Sequence, residues 1–402
     1  MTRTIGLVTT LVPYHHARWH AFAGKSKAPC KVIELTDKDE FPVMELPPQM
    51  GSSFERVSLF PRQGVEKLTS QAIAKKIAHT LDQLKPGCVC LNGYATPLAL
   101  GALSWCQKNR VPAVLMSEST AWDEPRTGAK EWIKSRLVRL CSSALVGGVP
   151  HRDYLAGLGL ERKRVSMGYD VVDNEYFKLG ATHARDQAAS LRKEHDLPEK
   201  YFLACARFVA KKNLPRLIEA YAHYRKKLLP TAVPWDLVIL GDGVEKKVLE
   251  STRTRLALEG SVHFPGAKSY GELPVYYGLA SGFIHASTTE QWGLVVNEAM
   301  ASGLPVLVSH RCGCAQDLVQ DGVNGFTFDP YQIEDMAEKM LRLTTNADLA
   351  YGLGKAGLTA IDHWSPQRFA EGLTLAVDTA LSTTPPSGTW FDQILLELLL
   401  RR

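Results

Sequence analysis

Short apolar runs alternate with longer stretches of helical periodicity along the whole of this 402-residue chain. Such runs are typical of buried strands, and a helix between two strands of one sheet indicates that the strands run parallel. The pattern therefore predicts parallel sheets with helices on both faces. The predicted strands lie near 4–10, 31–36, 87–91, 111–116 and 143–147 in the first half, and near 201–206, 236–240, 261–264, 282–286 and 305–309 in the second.

The length of the chain indicates two domains. We predict an α/β protein with two Rossmann-like, doubly wound parallel-sheet domains, the first over 1–177 and the second over 178–363. A further helix is predicted within 364–382, and a linker with an amphipathic tail over 383–402.

The segment 287–303 joins one predicted strand to the next through a tight loop and a helix. The helix is predicted to begin after Gly293, which has no side chain to block a ligand. The backbone amides of Gly293, Leu294 and Val295 are then unpaired at the helix start, where the positive end of the helix dipole adds to them. This arrangement predicts a phosphate site.

Two glutamates flank the predicted phosphate site. Glu298 lies roughly 7 Å along the helix axis, and because helical side chains lean toward the N-terminus, its carboxylate can reach back toward hydroxyls beside the phosphates. Glu290 approaches from the preceding loop. Carboxylates accept hydrogen bonds from hydroxyl groups, so the pair suits the two ends of a nucleotide diphosphate sugar. The alternative is a solvated loop acid at Glu290 and an acid at Glu298 that only compensates the helix dipole.

Two basic residues follow the predicted strand near 201–206. Arg207 and Lys212 lie at its carboxyl end, five residues apart across a loop. Two cations at this position could neutralise a diphosphate that becomes a leaving group. A solvated basic loop is the alternative that the residues alone leave open.

Together these motifs resemble the retaining GT-B glycosyltransferases of family 4, also called the glycosyltransferase group 1 domain. The resemblance covers roughly residues 200 to 345, and the matches occur in the family's order. They are Ala206-Arg207-Phe208 with Lys212-Asn213, Leu240-Gly241-Asp242-Gly243, Val262-His263-Phe264-Pro265-Gly266, the stretch 290–306, and the stretches 313–319 and 321–325.

The resemblance implies the GT-B fold, in which two Rossmann-like domains face a cleft and a final helix, here about 367–381, crosses back onto the first domain. It also implies a role for each candidate site residue of the second half. Arg207 and Lys212 would hold the donor diphosphate, and the amides of Gly293, Leu294 and Val295 would contact the phosphate and the sugar. Glu298 would bind the ribose hydroxyls and Glu290 the transferred sugar. The loop with Phe264, Gly266 and Ala267 would carry the base.

The implied activity is that of a retaining hexosyltransferase. It would use a nucleotide diphosphate sugar, with UDP favoured, and the hydroxyl of a glycan, a lipid-linked glycan or a small metabolite. A nucleotide-sugar epimerase of the GT-B fold is the alternative reaction, although no motif for elimination at the sugar is found. A non-catalytic subunit that binds sugar nucleotides is a third alternative, against which the intact set of donor residues argues.

The N-terminal half matches the family more loosely. His15, His16 and Arg18 follow the first predicted strand, where many members have a glycine-rich turn. Glu118 follows the strand near 111–116, where many members have a histidine, and it could replace that residue. We expect these four side chains to bind the acceptor, and a surface turn is the alternative for the two histidines.

Hydrophobic content of 45% and charged content of 22% are ordinary for a soluble globular protein. No apolar signal region and no membrane-spanning stretch is found, so we expect a cytoplasmic location with the eight cysteines reduced. Asp37-Lys38-Asp39 spells the DxD of metal-dependent glycosyltransferases but follows a strand of the first half. We interpret it as a solvated turn and expect neither a metal nor another cofactor.

The net charge is +5, and the predicted helix 130–139 is basic and amphipathic. A solvated helix face is the first interpretation of this helix, and attraction to an anionic membrane surface or an anionic acceptor is the alternative. The tail 389–402 is amphipathic, with Trp390, Phe391, Ile394, Leu395, Leu398 and Leu399 on one helical face. Docking of the tail on its own N-terminal domain is the first interpretation, and binding to a membrane surface together with 130–139, or to a partner helix, is the alternative. A nucleic-acid partner is not expected, because no binding motif accompanies the charge.

Overall fold

The computed structural model describes residues 4–26, 29–37 and 51–401. The chain divides into two compact units. Unit 1 comprises Met1–Val171 with Pro366–Arg402, and unit 2 comprises Val172–Ser365. Lys38 and Asp39, part of the turn predicted to be solvated, lie outside the described residues.

In the described part of unit 1 there is a parallel sheet of seven strands. They are β1 Thr4–Val8, β2 Cys30–Glu34, β3 Glu55–Ser58, β4 Cys88–Asn92, β5 Ala113–Ser117, β6 Ser143–Val146 and β7 Val165–Met167. Their order across the sheet is β3-β2-β1-β4-β5-β6-β7. The inner strands are apolar and buried because helices cover both faces of a doubly wound sheet.

Unit 2 contains a second parallel sheet, of six strands. They are β8 Tyr201–Cys205, β9 Asp236–Leu240, β10 Val262–Gly266, β11 Gly282–His285, β12 Val306–Ser309 and β13 Gly325–Phe328. Their order is β10-β9-β8-β11-β12-β13, so the direction in which the chain adds strands reverses between β8 and β11.

Helices connect the strands of both sheets. The first five, in unit 1, are α1 Pro13–Lys25, α2 Ser70–Leu84, α3 Pro97–Asn109, α4 Gly128–Arg139 and α5 Val149–Gly157. Those of unit 2 are α6 Asn174–Asp186, α7 Ala188–Glu194, α8 Leu214–Lys227, α9 Lys246–Arg255, α10 Leu273–Leu279, α11 Leu294–Ala301, α12 Ala315–Leu318, α13 Ile333–Thr345 and α14 Ala347–Ile361. The last two, α15 Pro366–Ser382 and α16 Trp390–Leu400, belong to unit 1.

Every strand predicted from the sequence is present, and the predicted α/β class with two doubly wound parallel sheets is confirmed. The strands that the sequence pattern did not indicate are β3, β7 and β13, and each of them is outermost in its sheet. Edge strands are short and need not be apolar on both faces, as β3 illustrates with two exposed residues among its four. None of the described helices combines the length and the apolar character needed to cross a bilayer.

Candidate active site

The loops that follow β8 and β11 meet at the point where the strand order of unit 2 reverses. β8 and β11 are hydrogen-bonded neighbours and run parallel, so their carboxyl ends lie at the same edge of the sheet. The Thr288 amide donates to the Lys211 carbonyl at 2.9 Å, and the Asn213 side chain donates to the Ala286 carbonyl at 3.1 Å. These bonds hold the two loops together at the edge where doubly wound sheets bind their ligands.

Lys212 and Glu290 are brought together by this arrangement. Lys212 ends a single 3-10 turn, Ala210–Lys212, and its ammonium donates a short hydrogen bond to a carboxylate oxygen of Glu290. Both side chains are largely buried. Burial alone would raise the pKa of Glu290, but the hydrogen bond with His285 and the charge of Lys212 hold that pKa well below its usual value. Glu290 is therefore a carboxylate throughout the physiological pH range.

His285 and Ser287 complete the surroundings of Glu290. The Nε2 atom of His285, the last residue of β11, lies 3.5 Å from the Glu290 carboxylate, and the Ser287 hydroxyl donates to the same carboxylate at 3.3 Å. Burial lowers the pKa of His285 despite the neighbouring carboxylate. Because that pKa lies below its usual value, His285 is neutral at neutral pH, and Lys212 is the nearby charge that balances Glu290.

The start of α11 is open to a ligand. Gly293 occupies the N-cap position with φ of 106°, a left-handed conformation that favours glycine, and no side chain caps the helix. Gly293, Leu294 and Val295 are partly exposed, whereas the helix from Val296 onward is buried. Backbone amides and the positive end of the helix dipole are thus available next to Glu290.

Glu298 lies on α11 and is buried, with its carboxylate 2.7 Å from the hydroxyl of Tyr277 on α10. Burial raises the pKa of Glu298 to about 7, and the hydrogen bond from Tyr277 opposes part of that rise. The carboxyl is consequently half protonated near neutral pH. Since ionisation changes how well it accepts hydrogen bonds, the occupancy of this site should depend on pH.

The remaining donor-side residues occupy more exposed positions. Arg207 is exposed, and among the described residues no side chain is paired with it. Phe264 and Gly266 belong to the edge strand β10 rather than to a loop, so the predicted extent of that loop was wrong. The strand continues because the Gly241 amide donates to the Gly266 carbonyl at 3.0 Å. Ala267 follows the strand end and is exposed.

His15 and His16 lie in the first turn of α1, so the alternative of a surface turn was wrong. The Nδ1 atom of His15 is 3.1 Å from the Thr10 carbonyl, and burial with the charge of Arg18 lowers its pKa to about 3. His16 is buried, with Nε2 at 2.9 Å from the Ser52 hydroxyl.

Arg18 is fully buried, so its guanidinium does not face solvent as an acceptor ligand would require. It donates to the Val171 carbonyl at 2.9 Å and lies 3.7 Å from the buried carboxyl of Asp170. Glu118 is partly exposed. Burial and then the charge of Glu118 raise the pKa of Asp170 well above its usual value, although Arg18 opposes the rise.

Sequence reasoning missed His285, Ser287 and Tyr277. His285 could have been noticed, because it is a polar residue at the carboxyl end of an otherwise apolar strand beside a candidate site. Tyr277 gives no local signal. It comes from a different helix, and only the packing of α10 places its hydroxyl on Glu298.

In comparisons with known proteins, the match to a protein family lies in unit 2, the part of the chain that holds Lys212 and Glu290. Residues 187–359 match the family model of glycosyl transferases group 1. Sulfoquinovosyl transferase of Arabidopsis thaliana is 30% identical over 220 residues, which is 54% of this chain and 39% of that protein. Alpha-monoglucosyldiacylglycerol synthase of Acholeplasma laidlawii is 25% identical over 201 residues, or 49% of each chain. The chain thus spans about half or less of the length of these relatives.

Solved structures match nearly the whole chain. Anabaena HepE in complex with UDP-glucose has a TM-score of 0.73 at 18% identity, covering 94% of this chain and 100% of that one. Sucrose-phosphate synthase from Thermosynechococcus elongatus has a TM-score of 0.71 at 17% identity, covering 94% and 98%. At such identities the likeness establishes the fold. The chain therefore has the GT-B fold, and its match to glycosyl transferases group 1 extends over most of unit 2.

Proposed function

We propose that this protein is a glycosyltransferase that moves a hexosyl unit from a nucleotide diphosphate sugar to the hydroxyl of an acceptor. The observation that carries the proposal is the contact of Lys212 with Glu290 beside the open N-terminus of α11. A cation, a sugar-binding carboxylate and unpaired amides are the groups that a sugar diphosphate requires at one place. The named relatives are transferases or synthases, and HepE is described with UDP-glucose.

In the proposed complex each end of the donor has its own partner. Lys212, the exposed Arg207 and the amides of Gly293, Leu294 and Val295 bind the diphosphate. Glu290 accepts hydrogen bonds from the transferred sugar. Glu298 accepts them from the ribose hydroxyls, and the backbone around Phe264, Gly266 and Ala267 carries the base.

The proposed reaction breaks the bond between the anomeric carbon and the diphosphate oxygen and forms a bond from that carbon to the acceptor oxygen. The acceptor's proton passes to the leaving diphosphate, so neither glutamate has to act as a covalent nucleophile. Arg207, Lys212 and the α11 amides stabilise the charge that develops on the diphosphate. The proposal includes retention of the anomeric configuration and no requirement for a metal ion.

Lys212 acquires a second anionic partner when the donor binds. Before binding, the partner of its ammonium within the described part of the chain is Glu290. The diphosphate would take over part of this interaction and leave Glu290 free to accept hydrogen bonds from the sugar. The ion pair thus keeps both charges paired while the donor is absent, which avoids the cost of a largely buried, unpaired carboxylate.

The proposed acceptor contacts lie in unit 1 and involve fewer residues than the four that the sequence indicated. Glu118 is partly exposed and His15 lies at the start of α1, so these two are proposed to meet the acceptor. Arg18 and His16 are buried and are proposed to position them. A glycan, a lipid-linked glycan and a small hydroxylated metabolite all present the required hydroxyl.

Thermal-shift titration with UDP, GDP and ADP tests the donor, and we expect UDP to raise the melting temperature most. Preferential stabilisation by GDP would overturn the UDP assignment. Incubation with UDP-hexose alone should release UDP slowly by hydrolysis, also in the presence of EDTA. An epimerised nucleotide sugar would instead indicate the isomerase, and binding without turnover of donor or acceptor would indicate a binding subunit. NMR of the anomeric proton in the transfer product decides retention.

A further inference from the structure

The C-terminal helix α16 is docked on unit 1 by polar contacts at its start. Thr389 caps the helix, and its hydroxyl and amide both donate to the Asp392 carboxylate, at 2.8 and 2.7 Å. Arg136 of α4 donates to Asp392 at 2.7 Å and to the Thr389 hydroxyl at 3.0 Å. The Gly388 amide donates to the Gln107 side chain at 2.9 Å. The orientation of α16 is therefore determined on one side by α4 and on the other by α3.

The apolar side chains of α16 divide into two groups. Leu395 and Leu396 are buried, and Leu399 and Leu400 pack against the core of unit 1. The other group faces solvent. The apolar face predicted from the sequence is therefore divided in the structure, because Leu395 and Leu399 belong to the first group and its other members belong to the second. Trp390 is 73% exposed and Leu398 is 55% exposed, and Ile394 lies between them on the same side of the helix.

The exposed group continues onto α4. The ring of Phe391 lies 5.5 Å from that of Trp132 and 6.0 Å from that of Trp390, both in edge-to-face arrangements. Trp132 is itself 49% exposed. We call the five residues Trp132, Trp390, Phe391, Ile394 and Leu398 the apolar patch. A contiguous exposed patch with two tryptophans is unusual for a surface that meets only water.

Exposed basic residues lie on the two helices that carry the apolar patch. Arg139 of α4 is exposed and lies two turns after Trp132 on the same side of that helix, and Arg401 at the end of α16 is also exposed. The Asp392 carboxylate at the start of α16 is paired with Arg136 of α4. Glu397 is the exposed acid of α16. Exposed tryptophan rings together with basic side chains are typical of a surface that enters the headgroup region of an anionic bilayer, whereas a helix of eleven residues is too short to cross one.

We propose that the apolar patch of α16 and α4 binds the surface of an anionic lipid bilayer, with α16 lying parallel to the membrane plane. Trp390, Ile394 and Leu398 enter the boundary between headgroups and acyl chains, and Arg139 and Arg401 meet the lipid phosphates. The proposal does not depend on the transferase reaction, because none of these residues is part of the donor site.

Sedimentation of the full chain with vesicles tests the proposal. We expect binding to vesicles of phosphatidylglycerol with phosphatidylcholine, and weaker binding to phosphatidylcholine alone. Replacing Trp390, Ile394 and Leu398 together by serine should lower the partition coefficient by on the order of 100-fold, because three large apolar side chains no longer insert. The matched control replaces Val233, Val244 and Tyr351, three exposed apolar residues of unit 2, by serine and should bind as wild type does.

A second arm tests the charge contribution. Arg139→Gln with Arg401→Gln should weaken binding to anionic vesicles by roughly fivefold per residue and leave binding to neutral vesicles unchanged. The melting temperature and the stabilisation by UDP serve as checks of folding and of the donor site in each variant. Wild-type protein that stays in the supernatant with anionic vesicles would overturn the proposal. So would a dimer of the wild type that the serine variant dissociates, because a second copy would then cover the patch.

Discussion

At the scale of single residues, Lys212 and Glu290 form an ion pair in which both side chains are largely buried from water. Two charges withdrawn from solvent are tolerated only when they are paired, and the removal of one partner leaves the other uncompensated. Glu290 has two further partners, His285 and Ser287, so it would keep hydrogen bonds if Lys212 were absent. The chief loss would be the positive charge that faces the leaving diphosphate.

Lys212→Ala should therefore lower kcat/KM for the donor by about 100- to 1000-fold, the range for loss of one group that stabilises developing negative charge. Lys211→Ala is the matched control. Lys211 is the neighbouring lysine, but its ammonium is 4.0 Å from Glu290 and more exposed, so its loss should change kcat/KM by no more than about threefold. Steady-state kinetics and thermal melts of both variants are the measurement. Wild-type turnover in Lys212→Ala would remove this residue from the proposed mechanism.

Tyr277 is proposed as a positioning residue for Glu298. Its hydroxyl holds the carboxylate and favours the ionised form, whose pKa is about 7. The affinity for UDP should thus increase as pH rises through about 7. In Tyr277→Phe that hydrogen bond is absent, so the pKa of Glu298 should rise further and the midpoint of the affinity profile should move to higher pH.

The affinity of Tyr277→Phe for UDP at pH 7 should fall roughly tenfold, since hydrogen bonds to charged groups contribute about 1.5–3 kcal/mol. The turnover number at saturating donor should change little. Isothermal titration with UDP between about pH 6 and pH 9, a range that includes the expected pKa, gives the affinity and the midpoint of its pH profile. Steady-state kinetics give the turnover number. An unshifted midpoint in Tyr277→Phe would show that Glu298 is not the group that titrates.

At the scale of secondary structure elements, α16 illustrates how a short helix is kept in place. An isolated helix of this length is marginal in water, so its order depends on capping and docking. Burial would raise the pKa of Asp392, but the bonds from Thr389 and Arg136 lower it below its usual value. Because the pKa is depressed in the folded state, this contribution to stability is present at neutral pH and is lost as pH falls through the folded pKa.

Asp392→Asn should destabilise the docked state of α16 by about 1–3 kcal/mol, through loss of a charged acceptor and a weakened cap. Amide hydrogen exchange within residues 390–400 should accelerate by about tenfold for each 1.4 kcal/mol lost. Glu397→Gln, on the same helix but exposed, is the control and should leave exchange nearly unchanged. Equal protection in both variants would mean that the leucine contacts alone hold the helix.

At the scale of the whole molecule, unit 1 is assembled from two separated parts of the chain. The Phe369 ring of α15 lies 5.6 Å from the Trp19 ring of α1, and the Ser143 hydroxyl of β6 donates to the Ala376 carbonyl at 2.6 Å. The core of unit 1 is thus complete only with residues that follow unit 2. Unit 2, by contrast, is continuous and contains all the proposed donor-binding residues.

Local periodicity by itself determined the central strands, the two-sheet α/β class and the candidate donor segment. The apolar runs of β8 and β11 are readable because both faces of a central strand are buried, and residues at the carboxyl ends of adjacent parallel strands must lie near each other. Lys212 and Glu290, 78 positions apart, follow those two strands. The adjacency of β8 and β11 was not predicted from the sequence, because two other strands lie between them in the chain and only the reversal of strand order makes them neighbours.

Only the tertiary structure decided which groups face solvent and which have partners. The partner of Glu298 is a tyrosine on another helix, the guanidinium of Arg18 is buried against Asp170 and Val171, and α16 exposes one of its two apolar sides. Edge strands such as β3 also escaped prediction, because a strand covered on fewer sides does not need an apolar run. Periodicity records which face of an element is apolar, whereas burial, partners and pKa depend on contacts between residues far apart in the chain.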